Sequence, residues 1–224
     1  MLLAILLAAA PCPGGYRPIG GACVLVPEKP SALVVYFHGM LPGDVDWSRA
    51  RELSLLGAEA KKRNVALVAL KGEPGLCAWA DDVKRHFCFP SDTSQAALVR
   101  GPLERLQRVL DEVKLPARLP APVFAGFSNG GYYVTLVAAA TSAEASGYVV
   151  MHAGPVTGLS FEQPERARRT LLLGATRDAV QLPGMKRLAS MLEAAKWPVK
   201  FTVHDGVHEV TAADVKALID FAAQ

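Results

Sequence analysis

The 224-residue sequence predicts an α/β fold, a mostly parallel sheet of about seven or eight strands with helices on both faces. Strand-length apolar runs alternate with helix-length amphipathic stripes from residue 32 onward. Residues 32–37 and 65–70 are apolar at every position, as strands covered on both faces are. Residues 123–127 run through a glycine-flanked serine straight into an alanine-rich apolar stretch, a sharp strand-to-helix turn.

In chain order, the turn signals Pro13-Gly14-Gly15 and Gly20-Gly21 precede a short strand at 23–26, closed by Pro27 and Pro30. Residues 32–37 form the first buried strand and end in His38-Gly39-Met40. Residues 47–63 place Leu53, Leu56 and Ala60 at helical spacing, with Lys61, Lys62 and Arg63 at the C-terminal end, where cations offset the helix dipole. The next buried strand, 65–70, is broken by Lys71-Gly72-Glu73-Pro74-Gly75. Residues 75–95 have no regular pattern. They follow a strand at its C-terminal end, and so either rim a ligand site or form a stapled surface loop; Trp79 is the candidate substrate wall there. Residues 96–113 carry a helical stripe that Gly101-Pro102 interrupts and Pro116 stops.

The elbow strand and helix follow, and residues 146–152 read as a further strand ended by Gly154-Pro155. His152, at its end, is either a satisfied structural histidine or a residue facing the site. Residues 158–169 are too few to fold as a separate cap domain. Residues 170–175 are a sixth buried run, delivering Thr176-Arg177-Asp178 to its C-terminal end. Pro183 opens a helix carrying Met185, Leu188, Ala189 and Leu192. Residues 199–203 alternate as a strand and pass into His204-Asp205-Gly206-Val207-His208, with Thr211 as N-cap of the last helix.

Gly126, Ser128 and Gly130 spell G-x-S-x-G, whose glycines have a steric role: side chains two residues either side of a serine in so tight a turn would collide. A serine hydroxyl is a weak nucleophile at neutral pH, so it needs an imidazole to take its proton and a carboxylate to orient that imidazole. His208, on a glycine-containing loop, and Asp178, at a strand end, are the candidates; His204 and Asp205 are the rivals. His38 reads as a residue fixing the turn at Gly39, and with His152 and Trp79 it completes the candidates for lining a substrate site.

Three separated segments carry a resemblance. They are Tyr36-Phe37-His38-Gly39, the stretch from Gly126 to Gly131, and Gly174-Ala175-Thr176-Arg177-Asp178 followed by Gly206-Val207-His208-Glu209. In these, with Ser, Asp and His in that chain order, the sequence beyond residue 22 resembles an α/β-hydrolase without a cap domain. More narrowly it is similar to secreted esterases of the polyhydroxybutyrate-depolymerase, feruloyl-esterase and dienelactone-hydrolase kind. The resemblance implies Ser128 as nucleophile, His208 as general base and acid, and Asp178 as orienting carboxylate. It also implies an oxyanion hole made by the backbone N–H groups of Asn129 and Met40, with neither metal nor cofactor. The expected reaction is hydrolysis of a small-molecule or polymeric carboxylic ester through an acyl-serine. The alternatives are peptide or thioester cleavage by the same triad, or a non-catalytic binding protein on the same fold.

The net charge of +3 comes from scattered basic residues, which leaves no electrostatic footprint for nucleic acid or an anionic membrane. Residues 1–10 resemble the apolar core of a signal peptide and are too short to span a bilayer, although no Lys or Arg precedes them and Pro11 suits a cleavage site poorly. Residues 11–224 are expected to form one domain. Acylation of Cys12 as a lipoprotein fits poorly beside Pro11. The four cysteines fall into two close pairs, Cys12 with Cys23 and Cys77 with Cys88, which suits two local disulfides; no Cys-x-x-Cys favours metal instead. Together these features point to export, to the periplasm or beyond.

Overall fold

The computed structural model describes residues 12–77, 81–162 and 164–224. The signal-like run at 1–10 and Trp79 lie outside them. The described chain runs through β1 (Arg17–Ile19), β2 (Ala22–Leu25), β3 (Ala32–Phe37), α1 (Arg51–Lys62), β4 (Val65–Leu70), β5 (Glu73–Pro74), β6 (Phe87–Cys88) and α2 (Arg100–Val113). It continues through β7 (Val123–Phe127), α3 (Asn129–Ala140), β8 (Gly147–Met151), β9 (Arg169–Ala175), α4 (Leu182–Ala194), β10 (Val199–His204) and α5 (Ala212–Ala222).

Eight strands form one sheet in the order β1-β2-β4-β3-β7-β8-β9-β10, and β5 pairs only with β6. The six strands from β4 to β10 in that order are all parallel; β2 joins β4 antiparallel, and β1 closes the edge as a hairpin on β2. Within the parallel strands successive side chains go to opposite faces. Val35 and Phe37 join a core with Leu106, Val109, Tyr133, Leu188 and Leu192 of α2, α3 and α4. Val34 and Tyr36 join the other, with Leu53 and Leu56 of α1 and Leu218 and Ile219 of α5. Both faces of the sheet are therefore covered, as the unbroken apolar runs require. Between β8 and β9 the described residues hold only a 3₁₀ turn, Pro164–Arg166, and no inserted domain. Among the described residues no helix is long and apolar enough to cross a membrane.

Three local features differ from the sequence pattern. The stripe at 47–63 splits, because Asp46 caps a 3₁₀ turn at Trp47–Arg49 and α1 starts afresh after extended Ala50. The stripe at 96–113 splits likewise: Asp92 caps a 3₁₀ segment, Thr93–Leu98, and Pro102 lies in the first turn of α2, where its missing N–H costs nothing. Strand β1 carries no periodic signal, since only Ile19 of its three residues is buried; the tight turn that forms it uses the positive φ of Gly20 (53°) and Gly21 (79°). Both disulfides read from the cysteine spacing are present, with Cα–Cα distances of 5.6 Å for Cys12–Cys23 and 5.9 Å for Cys77–Cys88. The second closes the irregular loop beside β6.

Under the sheet, the Tyr36 hydroxyl donates to Glu52 Oε2 at 3.0 Å. Burial pushes the Glu52 carboxyl up to about 7, against the opposing pull of that bond. The folded chain thus holds a proton on Glu52 that the unfolded chain releases near pH 4.5, so this group's contribution to stability falls as pH rises from there through about 7. Glu52→Gln removes the titration. Urea midpoints of the variant relative to the parent should rise between pH 5 and pH 8; a constant difference would mean that Glu52 ionises normally.

Candidate active site

Strand β7 ends at Phe127 and α3 begins at Asn129, leaving Ser128 alone to make the turn at φ 50° and ψ −115°. That conformation is strained for any residue with a Cβ. Neighbouring strands hold it in place: the Ser128 N–H donates to Met151 O at 2.9 Å and the Gly130 N–H to His38 O at 3.1 Å. The glycines make the approach possible. A Cβ on Gly126 would stand 2.1 Å from Gly130 O, and one on Gly130 would stand 2.0 Å from Phe37 O.

Strands β9 and β10 pair in parallel with Ala175 opposite His204, so the loops after them leave the same edge of the sheet. The Thr176 N–H donates to His204 O and the Arg177 N–H to Gly206 O, each at 2.9 Å, which staples the two loops. Asp178 and His208 meet there, His208 Nδ1 lying 2.7 Å from Asp178 Oδ2. On the ring's other side His208 Nε2 lies 2.9 Å from Ser128 Oγ. The Phe127 ring lies against the imidazole with centroids 5.0 Å apart. Asp178 is 4% exposed, and burial pushes its carboxyl up; hydrogen bonds from His208, His152 and the Gln181 N–H outweigh that and leave it below the ordinary carboxylate range. It is therefore ionised at neutral pH, as an acceptor for two N–H donors must be.

No family model and no curated sequence matches the chain. Its architecture does match solved structures. An acyl-protein thioesterase 2 of Zea mays superposes with TM-score 0.68 at 16% identity, over 91% of this chain and 97% of that one. A Mesorhizobium loti carboxylesterase gives 0.63 at 16% over 90% and 93%, and a Bacillus cereus carboxylesterase 0.60 at 15% over 90% and 92%. The chain has the α/β-hydrolase fold.

The main-chain N–H groups of Met40 and Asn129 have no hydrogen-bond partner among the described residues, and both residues border a cleft of about 420 Å³ that opens on Ser128. Ser91, Asp92, Tyr132 and Gln181 line the rest of it. None of these four residues lies in the sequence motifs. Tyr132 donates to Gln181 Oε1 at 2.6 Å, tying the elbow helix to the start of α4. The Asn129 side chain accepts from the Phe89 N–H at 2.8 Å and donates to Phe89 O and Ser91 Oγ. It thereby anchors the end of the irregular loop at the rim of the cleft; a buried amide at the position after Ser128 was the available clue.

Two expected substrate-lining residues are not at the surface. His38 is fully buried, with Nε2 accepting from the Gly72 N–H at 2.8 Å and Nδ1 donating to Gly39 O; burial pushes its imidazole down to about 3. It fixes the turn at Gly39 as a neutral ring. His152 is fully buried as well, its Nδ1 at 2.8 Å from Asp178 Oδ2, so neither ring can touch a substrate. The rival residues are engaged elsewhere: His204 faces Asp214 at 3.3 Å, and Asp205 accepts from the Thr176 hydroxyl and forms an ion pair with Arg177. Two groups, His152-Asp178-His208 and His152-His204-Asp214, bring three possible metal donors within 4.8 Å of one another, but hydrogen bonds or ion pairs to carboxylates already engage every Nδ1 in them.

The glycine contacts can be tested directly. Gly126→Ala and Gly130→Ala should each cost more than about 3 kcal/mol in urea denaturation, because the added methyl meets backbone that cannot turn away. Gly101→Ala, in helix α2 with nothing within 4 Å, should be neutral or stabilise by up to about 1 kcal/mol.

Proposed function

We propose that the chain is a serine hydrolase that cleaves carboxylic esters through an acyl-serine intermediate. One observation carries the proposal: a hydroxyl, an imidazole and a buried carboxylate stand in one line, at 2.9 and 2.7 Å, with the hydroxyl on a strained turn. As an ester carbonyl enters the cleft, Ser128 Oγ attacks the carbon while His208 Nε2 takes the hydroxyl proton. Asp178 accepts from His208 Nδ1 and balances the imidazolium that forms. The Asn129 and Met40 N–H groups are the donors for the resulting alkoxide, each worth about 3 kcal/mol in the transition state.

Collapse of the tetrahedral intermediate breaks the carbon–oxygen bond to the alcohol, which leaves with the proton from His208. Water then enters, gives its proton to His208 Nε2 and attacks the acyl carbon; release of the acid returns the proton to Ser128. Tyr132, Gln181 and Asp92 bring polar groups to an open cleft, and the described residues between β8 and β9 hold no inserted domain to cover it. Two disulfides suit an oxidising compartment, which supports export.

Ser128→Ala should lower kcat for p-nitrophenyl butyrate by more than about 10⁴-fold while leaving the melting temperature near that of the parent. Parent-like turnover by the variant would remove the proposal. The carbonyl chemistry is read from a side-by-side panel of an ester, an acyl thioester and an aminoacyl anilide. Ester turnover should exceed that of the anilide, and cleavage of the anilide alone would make the chain a peptidase.

A further inference from the structure

Asp178 Oδ2 is met by two imidazoles, although proton transfer from Ser128 needs only one. His208 Nδ1 lies 2.7 Å away and His152 Nδ1 2.8 Å. An ionised carboxylate has no proton to give, so both Nδ1 atoms must carry one. His152 is thereby the Nδ1–H tautomer, with its lone pair on Nε2. That Nε2 is buried and has no hydrogen-bond partner among the described residues. The backbone at 152 is left-handed, φ 51°, and is clamped between strands by its N–H donating to Leu173 O at 2.9 Å. A ring needed only to fill this space would be better as phenylalanine or leucine, which have no nitrogen to leave unmatched. The burial, the orphaned nitrogen and the strained backbone are explained together by the bond His152 makes to Asp178.

We propose that His152 is a positioning residue for acyl transfer: its Nδ1–H and the Gln181 N–H, which donates to Asp178 Oδ1 at 3.2 Å, hold the carboxylate from two sides and so aim His208 at Ser128. This role depends on the serine-hydrolase function proposed above. The groups facing the His152 ring are Asp178 from the loop after β9, His208 from the loop after β10, His204 from β10 itself with ring centroids 5.9 Å apart, and Asp214 from α5. Burial pushes the His152 imidazole down, against the two carboxylates, which keeps it a neutral donor. A neutral donor draws charge from the Asp178 carboxylate without adding a positive charge beside His208. Without that donor the carboxylate would turn more of its charge toward the His208 Nδ1–H.

The test uses His152→Gly and His152→Asn. Glycine suits the left-handed backbone and removes the donor; asparagine tolerates the same backbone and offers an amide N–H close to where Nδ1 stood. For p-nitrophenyl butyrate, H152G should lose about 10- to 100-fold in kcat with little change in KM, and the acid limb of its kcat/KM profile should move up by about one pH unit. H152N should recover most of the kcat and restore the parent limb, and added imidazole should partly restore H152G. Should H152G not fold, as judged by circular dichroism, H152L takes its place as the variant without a donor. Parent-like kcat and acid limb in a variant lacking the donor would overturn the proposal. So would equal losses in H152N and H152G that merely track the unfolded fraction. Absence of turnover by the parent itself would instead defeat the hydrolase function on which the proposal depends.

Discussion

A serine held at φ 50° and ψ −115° does not stay there unless its surroundings hold it, and the rest of the molecule can be understood as what does so. Its N–H is held by the end of β8 and the following helix turn by the end of β3, while Gly126 and Gly130 let three stretches of backbone approach more closely than any Cβ allows. The sheet supplies those strand ends only because its strands are parallel and in register, and it stays so because apolar side chains cover both its faces. Packing energy spread over the two cores thus fixes one strained hydroxyl at the sheet's C-terminal rim, where parallel sheets present their sites.

The same geometry brings the partners. Asp178 and His208 lie thirty residues apart in sequence and meet because parallel neighbours β9 and β10 release their loops at one edge, stapled by two backbone hydrogen bonds. Behind them the carboxylate is further held by the fully buried His152, and beyond that His204 faces Asp214. The hydrogen-bonded line from Ser128 therefore extends to His152 rather than ending at Asp178. In a low-dielectric setting each added hydrogen bond restricts the others, which fixes the orientation of the carboxylate.

Most of this was legible in the sequence wherever a short segment carries its own constraint. The elbow announces itself through glycines whose spacing is steric, and β3 and β4 through runs apolar at every position. The chain order of Ser128, Asp178 and His208 did the rest. What stayed hidden was set by distant neighbours. Whether a histidine at a strand end faces out or in depends on one backbone angle, and at His152 the left-handed φ turns the ring inward onto Asp178. His38 is likewise claimed by the Gly72 N–H, thirty-four residues away. The anchoring of Phe89 and Ser91 by the Asn129 side chain, and the splitting of two helical stripes by Asp46 and Asp92 caps, leave no periodic trace either.

The central claim is that folding, and not serine chemistry alone, makes one hydroxyl reactive. Treatment with a fluorophosphonate probe, followed by peptide mapping in a mass spectrometer, tests it directly. Folded protein should carry a single adduct, on Ser128, and protein unfolded in urea should carry none. Adducts spread over several serines, or labelling of Ser128 that survives unfolding, would contradict the account.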